Sequence, residues 1–183
     1  HEYQAKELLR KFDLPLLSGK FYISNLNNLE KEIDNLVGPP WVVKSQIHAG
    51  GRGAGYFKNS VNNRGGVQIA KSKDEIKILA NAMLNNTLIT KQTGEKGKKV
   101  TRIYIEEGCE IKREYYLSFL IDRNTSKLMM IISSSGGTDI ENIAQTNPEK
   151  IHKISIDPIT GIQPHHTRKL AFALGLKGKE ISA

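Results

Sequence analysis

The chain has 183 residues, 38% of them hydrophobic and 25% charged, which is ordinary globular composition and enough for one domain or two small lobes. No stretch approaches the roughly 18 uninterrupted apolar residues of a membrane-spanning helix, and the opening HEYQAKELLRKF is amphipathic rather than a secretory signal, so no membrane partner is expected. The single cysteine, Cys109, excludes an intrachain disulfide and a cysteine-based zinc cluster, and the 27 Lys and Arg against 19 Asp and Glu give a net charge of +8 that attracts polyanions. Phosphorylated small molecules, nucleic acid or mere compositional drift would each account for that charge; without an aromatic-interleaved RNA-recognition pattern, no nucleic acid is expected as partner.

Tyr3, Ala5, Leu8, Leu9 and Phe12 recur at spacings of three and four and predict a helix over 2–12, stopped by the Pro15 to Gly19 region. A short strand around Phe21 and Ile23 follows, then a helix over 27–37 capped by Asn27 or Asn28, then the breaker Gly38-Pro39-Pro40. Trp41 to Val43 is a β-rich run that delivers Lys44 to a flexible, glycine-rich loop over 46–55. A return strand over 66–70 leads to a helix over 72–83 with Asp74 and Glu75 in its first turn, then a strand over 88–92 and a polar turn over 94–99. Strands over 102–106, 114–121 and 128–133 read as a meander. Gly136 and Gly137 open a loop before a short helix over 139–145; a strand over 151–156, a loop over 158–164 and a helix over 166–174, ended by Gly175, complete the chain. Elements alternate except for the central run of strands, which favours mixed α+β lobes over a doubly wound sheet, the first over 1–101 and the second over 102–183.

The chemical signal concentrates in VVKSQIHAGGRGAG at 42–55. A lysine at a strand exit has its stem packed and its ammonium aimed. Gly50, Gly51, Gly53 and Gly55 let backbone N–H groups approach anionic oxygens, and Arg52 adds a forked donor suited to phosphate. This is neither a Walker loop nor a dinucleotide fingerprint, since the required orders of residues are absent. A second polar set, Glu106, Glu107, Cys109 and Glu114, could face the sugar and base of a nucleotide. Equally, those acids could be solvated turn residues neutralised by Lys112 and Arg113.

HEYQAKELL at 1–9, LP followed by glycine at 14–19, WVVKSQIHAGGRG at 41–53, KQTGEKG at 91–97, REYYLSF at 113–119 and SSSGGTDIE at 133–141 occur in this order, and IHKISIDPITGIQPHHTRKLAFALGL continues to residue 176. Together they resemble succinate–CoA ligase β subunits over essentially the whole chain. The resemblance implies an ATP-grasp fold of two α+β lobes, the second incomplete at its C-terminal end, that holds ATP or GTP. It implies phosphate contacts at Lys44, Gly51, Arg52 and Gly53, and base and ribose contacts at Glu106, Cys109 and Glu114. It further implies an α-subunit partner that carries the phosphorylated histidine and the CoA site, so that His1, His48, His152, His165 and His166 have no such role. The location would be the cytoplasm, or the mitochondrial matrix in a eukaryote. A malate–CoA ligase β subunit would look nearly the same, and a basic nucleic-acid-binding module or a structural assembly domain are rivals from other classes.

Two departures from the family pattern stand out. Ala54 follows the Gly-Arg-Gly loop where family members usually carry lysine, a loss that Lys58 or Arg64 could cover. The E-x-N strand that supplies a magnesium ligand in the family is absent, so the resemblance implies Mg2+ ligands outside this chain, a further β-subunit domain beyond Ala183, and negligible phosphoryl transfer by these residues alone.

Overall fold

The computed structural model describes residues 1–23, 26–27, 29–58, 65–136 and 140–181. They form two compact units, His1–Glu110 and Ile111–Ala183.

The first unit is built on an antiparallel four-stranded sheet in the order β1-β7-β2-β4, from β1 (Gly19–Ile23), β2 (Trp41–Ser45), β4 (Val67–Ala70) and β7 (Arg102–Glu107). Three short strands, β3 (Tyr56–Phe57), β5 (Thr87–Ile89) and β6 (Lys98–Lys99), make a second sheet in the order β3-β5-β6. Opposed residues in paired strands project to the same face, so the register sorts the main sheet into two unlike surfaces. Trp41, Val43, Ile103, Ile105, Tyr22 and Ala70 fall on one face and join Ile76, Leu79, Ala80 and Met83 of α3 (Lys73–Met83) and Leu29 and Ile33 of α2 (Leu29–Ile33) in a single buried core. The other face presents Phe21, Val42, Lys44, Tyr104 and Glu106. α1 (Glu2–Arg10) reaches that face through Glu2 and Lys6 and through Tyr3, whose ring stacks on Phe21 at 4.4 Å.

The strand 102–107 does not open a meander with 116–122. Its central residues Ile103 to Glu106 are buried on both faces, which suits an interior position between β1 and β2, and the strand belongs to the unit His1–Glu110. The meander of the second unit is instead β8 (Tyr116–Asp122), β9 (Lys127–Ser133) and β10 (His152–Ile156), in the order β10-β9-β8. Met130, Ile132, Ile154 and Ile156 pack there with Leu170 and Leu174, supplied by α5 (Pro164–Ala173) and its C-cap. α5 starts two residues earlier than its sequence pattern suggests because Pro164 takes the first helical position, where a missing N–H costs nothing. α4 (Ile140–Thr146) stands where a short helix is expected; its opening residues Gly137 and Asp139, like the Asn28 cap, lie outside the described residues.

Ser72 caps α3 by accepting the Glu75 N–H, and Gly175, at φ +69°, follows α5 in the left-handed conformation that closes a helix. Gly19 has a steric role, since a Cβ there would overlap the Tyr104 phenol. Ile105 lies on the interior strand with no solvent exposure. Replacing it with Ala should cost about 3 kcal/mol, within the usual ~2–5 kcal/mol for such truncations, read as a drop in the urea midpoint. A loss below about 1 kcal/mol would contradict the placement of β7 at the centre of the sheet.

Candidate functional site

Lys44 and Glu106 come together because of register. Lys44 of β2 sits opposite Tyr104 and Val42 sits opposite Glu106, so the ammonium and the carboxylate are diagonal neighbours on one face, within reach of long side chains. They form an ion pair, and Glu106 forms a second with Lys6 of α1. Glu106 is 2% exposed, so both pairs are formed largely out of water.

Glu2 links this pair to the glycine-rich loop. One of its carboxylate oxygens lies 3.0 Å from Lys44 Nζ and the other 2.8 Å from Arg52 Nη2. Arg52 is fixed at further points: Nη1 donates to the Ser45 carbonyl at 2.7 Å, and the Arg52 carbonyl accepts the Gly66 N–H at 2.8 Å. The loop is also held by Gln92, whose Oε1 accepts the Gly50 N–H at 2.7 Å. A loop expected to be flexible is thus tied to β2, to the start of β4 and to the 91–94 turn. Gly51, at φ +69°, needs its lack of a side chain for backbone conformation, whereas a Cβ at Gly53 would make only an ordinary contact with Val67 at 3.9 Å.

Three cations, Lys6, Lys44 and Arg52, therefore share two carboxylates, Glu2 and Glu106, leaving one net positive charge. Burial alone would raise the Glu2 pKa, but Lys44 and Arg52 outweigh it and bring it down to about 2. Burial likewise works against the Lys44 ammonium, and the bonds to Glu106 and Glu2 overcome it, raising its pKa and keeping it charged. On the same side, Gln46 Oε1, Tyr104 Oη and Arg102 Nε are buried without a partner. The Tyr104 hydroxyl and the Arg102 Nε–H are donors available to a polar ligand, which fits the chemistry expected for phosphate.

Cys109 and Glu114 take no part in these ion pairs. Cys109 is exposed in the segment after β7, where the neighbouring Gly108 N–H bonds the Pro40 carbonyl at 2.8 Å. Glu114 belongs to the second unit, is exposed, and its carbonyl accepts the Gly136 N–H at 3.2 Å. Glu106 is engaged by Lys44 and Lys6 on the sheet face beneath α1. Ala54 is exposed, as is Lys58, while Arg64 lies outside the described residues. Among the described residues no group of three or more His, Cys, Asp or Glu side chains is placed to hold a metal ion. No helix among them is long and apolar enough to cross a membrane.

Sequence reasoning missed Glu2, Lys6 and Gln92 as parts of the site. The signal for the first two was available: a glutamate and a lysine four residues apart share one side of a helix. Gln92 lay inside the KQTGEKG motif without a role.

Because the folded pKa of Glu2 is depressed from 4.5 to about 2, its ionic contribution is fully present above the unfolded pKa and is lost as the pH falls through the folded one. The urea midpoint of Glu2→Gln should accordingly lie below wild type at pH 7, by about 1–2 kcal/mol once solvent screening is allowed for, and the gap should close between pH 4.5 and about 2. A gap that persists unchanged at the acid end would show that the carboxylate charge is not its source.

The model of the ATP-grasp domain family matches residues 1–183. The chain is 52% identical over 182 residues to the protein named succinate–CoA ligase [ADP-forming] subunit beta of Paramagnetospirillum magneticum, covering 100% of this chain and 46% of that one. With the protein of the same name from Rhizorhabdus wittichii the identity is 54%, over 97% of this chain and 45% of the relative. The chain thus spans a little under half the length of these relatives. Among solved structures, the ATP citrate lyase of Methanothrix soehngenii superposes with a TM-score of 0.57 at 20% identity, over 85% of this chain and 32% of that one, a likeness of fold. With the match running the whole length and the antiparallel α+β architecture agreeing with it, the chain belongs to the ATP-grasp domain family.

Proposed function

We propose that this chain is the nucleotide-binding part of the β subunit of an ADP-forming succinate–CoA ligase. One observation carries the reading: Lys44 at the exit of β2 and Arg52 in the glycine-rich loop converge to within 3.0 Å and 2.8 Å of a single carboxylate, which is the spacing of donors that two phosphate oxygens would need. The identity of about half to β subunits of that name supports the choice of reaction, and favours succinate over malate as the acid.

In this reading Lys44, Arg52 and the N–H groups of Gly51 and Gly53 hold the phosphates of ATP or GTP. Glu106 holds Lys44, and the Ser45 carbonyl and Gln92 hold Arg52 and the loop, so these groups are oriented before the ligand arrives. Glu106, the backbone beside Cys109, and Glu114 serve the ribose and base. The whole protein would make succinyl-CoA, nucleoside diphosphate and phosphate from succinate, CoA and nucleoside triphosphate through a phosphohistidine of an α subunit, in the cytoplasm. Magnesium would be held by residues outside these 183, and no part of the role assigned to Lys44 and Arg52 runs through it.

Replacing Lys44 with Ala should weaken nucleotide binding about tenfold to a hundredfold, the loss of one charge-assisted contact worth ~1.5–3 kcal/mol. Calorimetric titration with ATP and GTP measures this, and unchanged affinity in a folded Lys44→Ala protein sinks the phosphate assignment. Melting temperature measured with ATP, GTP, ADP and a non-nucleotide polyphosphate at matched ionic strength separates nucleotide recognition from simple attraction of anions to a basic chain. A shift with DNA of unrelated sequence that collapses with added salt, and none selective for nucleotide, would favour a nucleic-acid-binding module instead.

A further inference from the structure

We infer that the Glu2 carboxylate is an internal counter-anion that competes with phosphate for Lys44 and Arg52, so that the first turn of α1 must give way before a polyphosphate is fully engaged. The inference rests on the phosphate-binding role proposed above for those two cations.

Each oxygen of Glu2 takes one of the two cations, as two oxygens of a phosphate would. A polyphosphate that reached the same donors with Glu2 in place would bring several negative charges against a carboxylate already there, and like charges at such range repel. The surroundings are arranged so that Glu2 can leave. Lys44 retains its ion pair with buried Glu106, and Arg52 retains the Ser45 carbonyl, so neither cation is stranded. Glu106 in turn retains Lys6. The displaced element is weakly anchored: no residue of α1 is buried, and it touches the sheet through ion pairs and the Tyr3–Phe21 stack, while its N-cap His1 stacks on His48 of the glycine-rich loop at 4.1 Å. Elements held by polar contacts of this kind, with little apolar burial, are the ones that open at low cost. Removing Glu2 from the cluster leaves three cations against one carboxylate, doubling the positive excess that faces the incoming anion.

The test uses the full chain, inorganic tripolyphosphate as probe, and calorimetric titration of wild type, Glu2→Gln, Glu2→Asp and Lys44→Ala, with hydrogen exchange of the α1 amides followed in parallel. The expected result is roughly tenfold tighter binding by Glu2→Gln, as the population in which the cations are free rises, and a smaller gain for Glu2→Asp, whose shorter side chain spans the two cations poorly. In wild type, tripolyphosphate should speed exchange at the α1 amides. Equal or weaker binding by Glu2→Gln, while wild type binds and Lys44→Ala does not, overturns the counter-anion role and leaves Glu2 as a residue that positions the cations. Slower α1 exchange on ligand addition overturns it as well. Absence of tripolyphosphate binding in every variant, wild type included, overturns the phosphate reading itself and this inference with it.

Discussion

A buried carboxylate on the polar face of the first unit's sheet sets the terms for everything around it. Glu106 projects from an interior strand with almost no access to water, and an ion in that position is tolerable only if it is paired. Lys44 and Lys6 meet that demand from two other elements, β2 and α1, so that one charge holds together strands and helix far apart in sequence. Losing one partner would not free the others; it would leave Glu106 short of cationic charge in a place where water cannot substitute. The ion pairs make the cluster specific more than they make it stable, since a buried pair repays its desolvation only in part.

Arg52 shows how the loop depends on the same cluster. Its guanidinium is oriented by Glu2 on one side and the Ser45 carbonyl on the other, while its own carbonyl is tied to Gly66 at the start of the return strand. A glycine-rich segment with four glycines in six positions would otherwise spend considerable entropy to hold a side chain in one place. Gln92 and Gly66 absorb that cost from outside the loop. Family members usually place a lysine where Ala54 stands; with that position exposed and neutral, the positive charge of the described loop lies with Arg52 and the adjoining Lys44.

Much of this was legible in the sequence, and the failures share a cause. The exit of β2 at Lys44, the helix with Asp74 and Glu75 in its first turn and the stop at Gly175 were readable because each depends on residues within a few positions of itself. The place of strand 102–107 was not, because a strand's neighbours are chosen by burial on both faces, and the run Ile103 to Glu106 reads equally well as one arm of a hairpin. The same limit hid the contacts of Glu2 and Lys6. Their spacing gave a common helix face, but that the face would meet Lys44 and Glu106 follows only from β1 lying beside β7 and α1 preceding β1. Glu106 and Lys44 were singled out from motifs as contacts of different parts of a nucleotide; the register makes them partners of each other first.

The two faces of the sheet divide the labour between stability and binding. The apolar face, closed by α2 and α3, contains the buried core of the unit, and that contribution scales with apolar area irrespective of what the opposite face does. The polar face carries α1 on ion pairs and stacked rings with no buried side chain. Rearranging the polar face therefore exchanges one set of charge-assisted bonds for another without opening the core, which is the condition under which a ligand's modest differential affinity is enough to shift an equilibrium. Were α1 anchored instead by leucines in the core, the same movement would expose them to water at a cost no single phosphate contact could offset. Leu8 and Leu9 are exposed instead, so apart from the Tyr3 stack the helix is held to the sheet by charge.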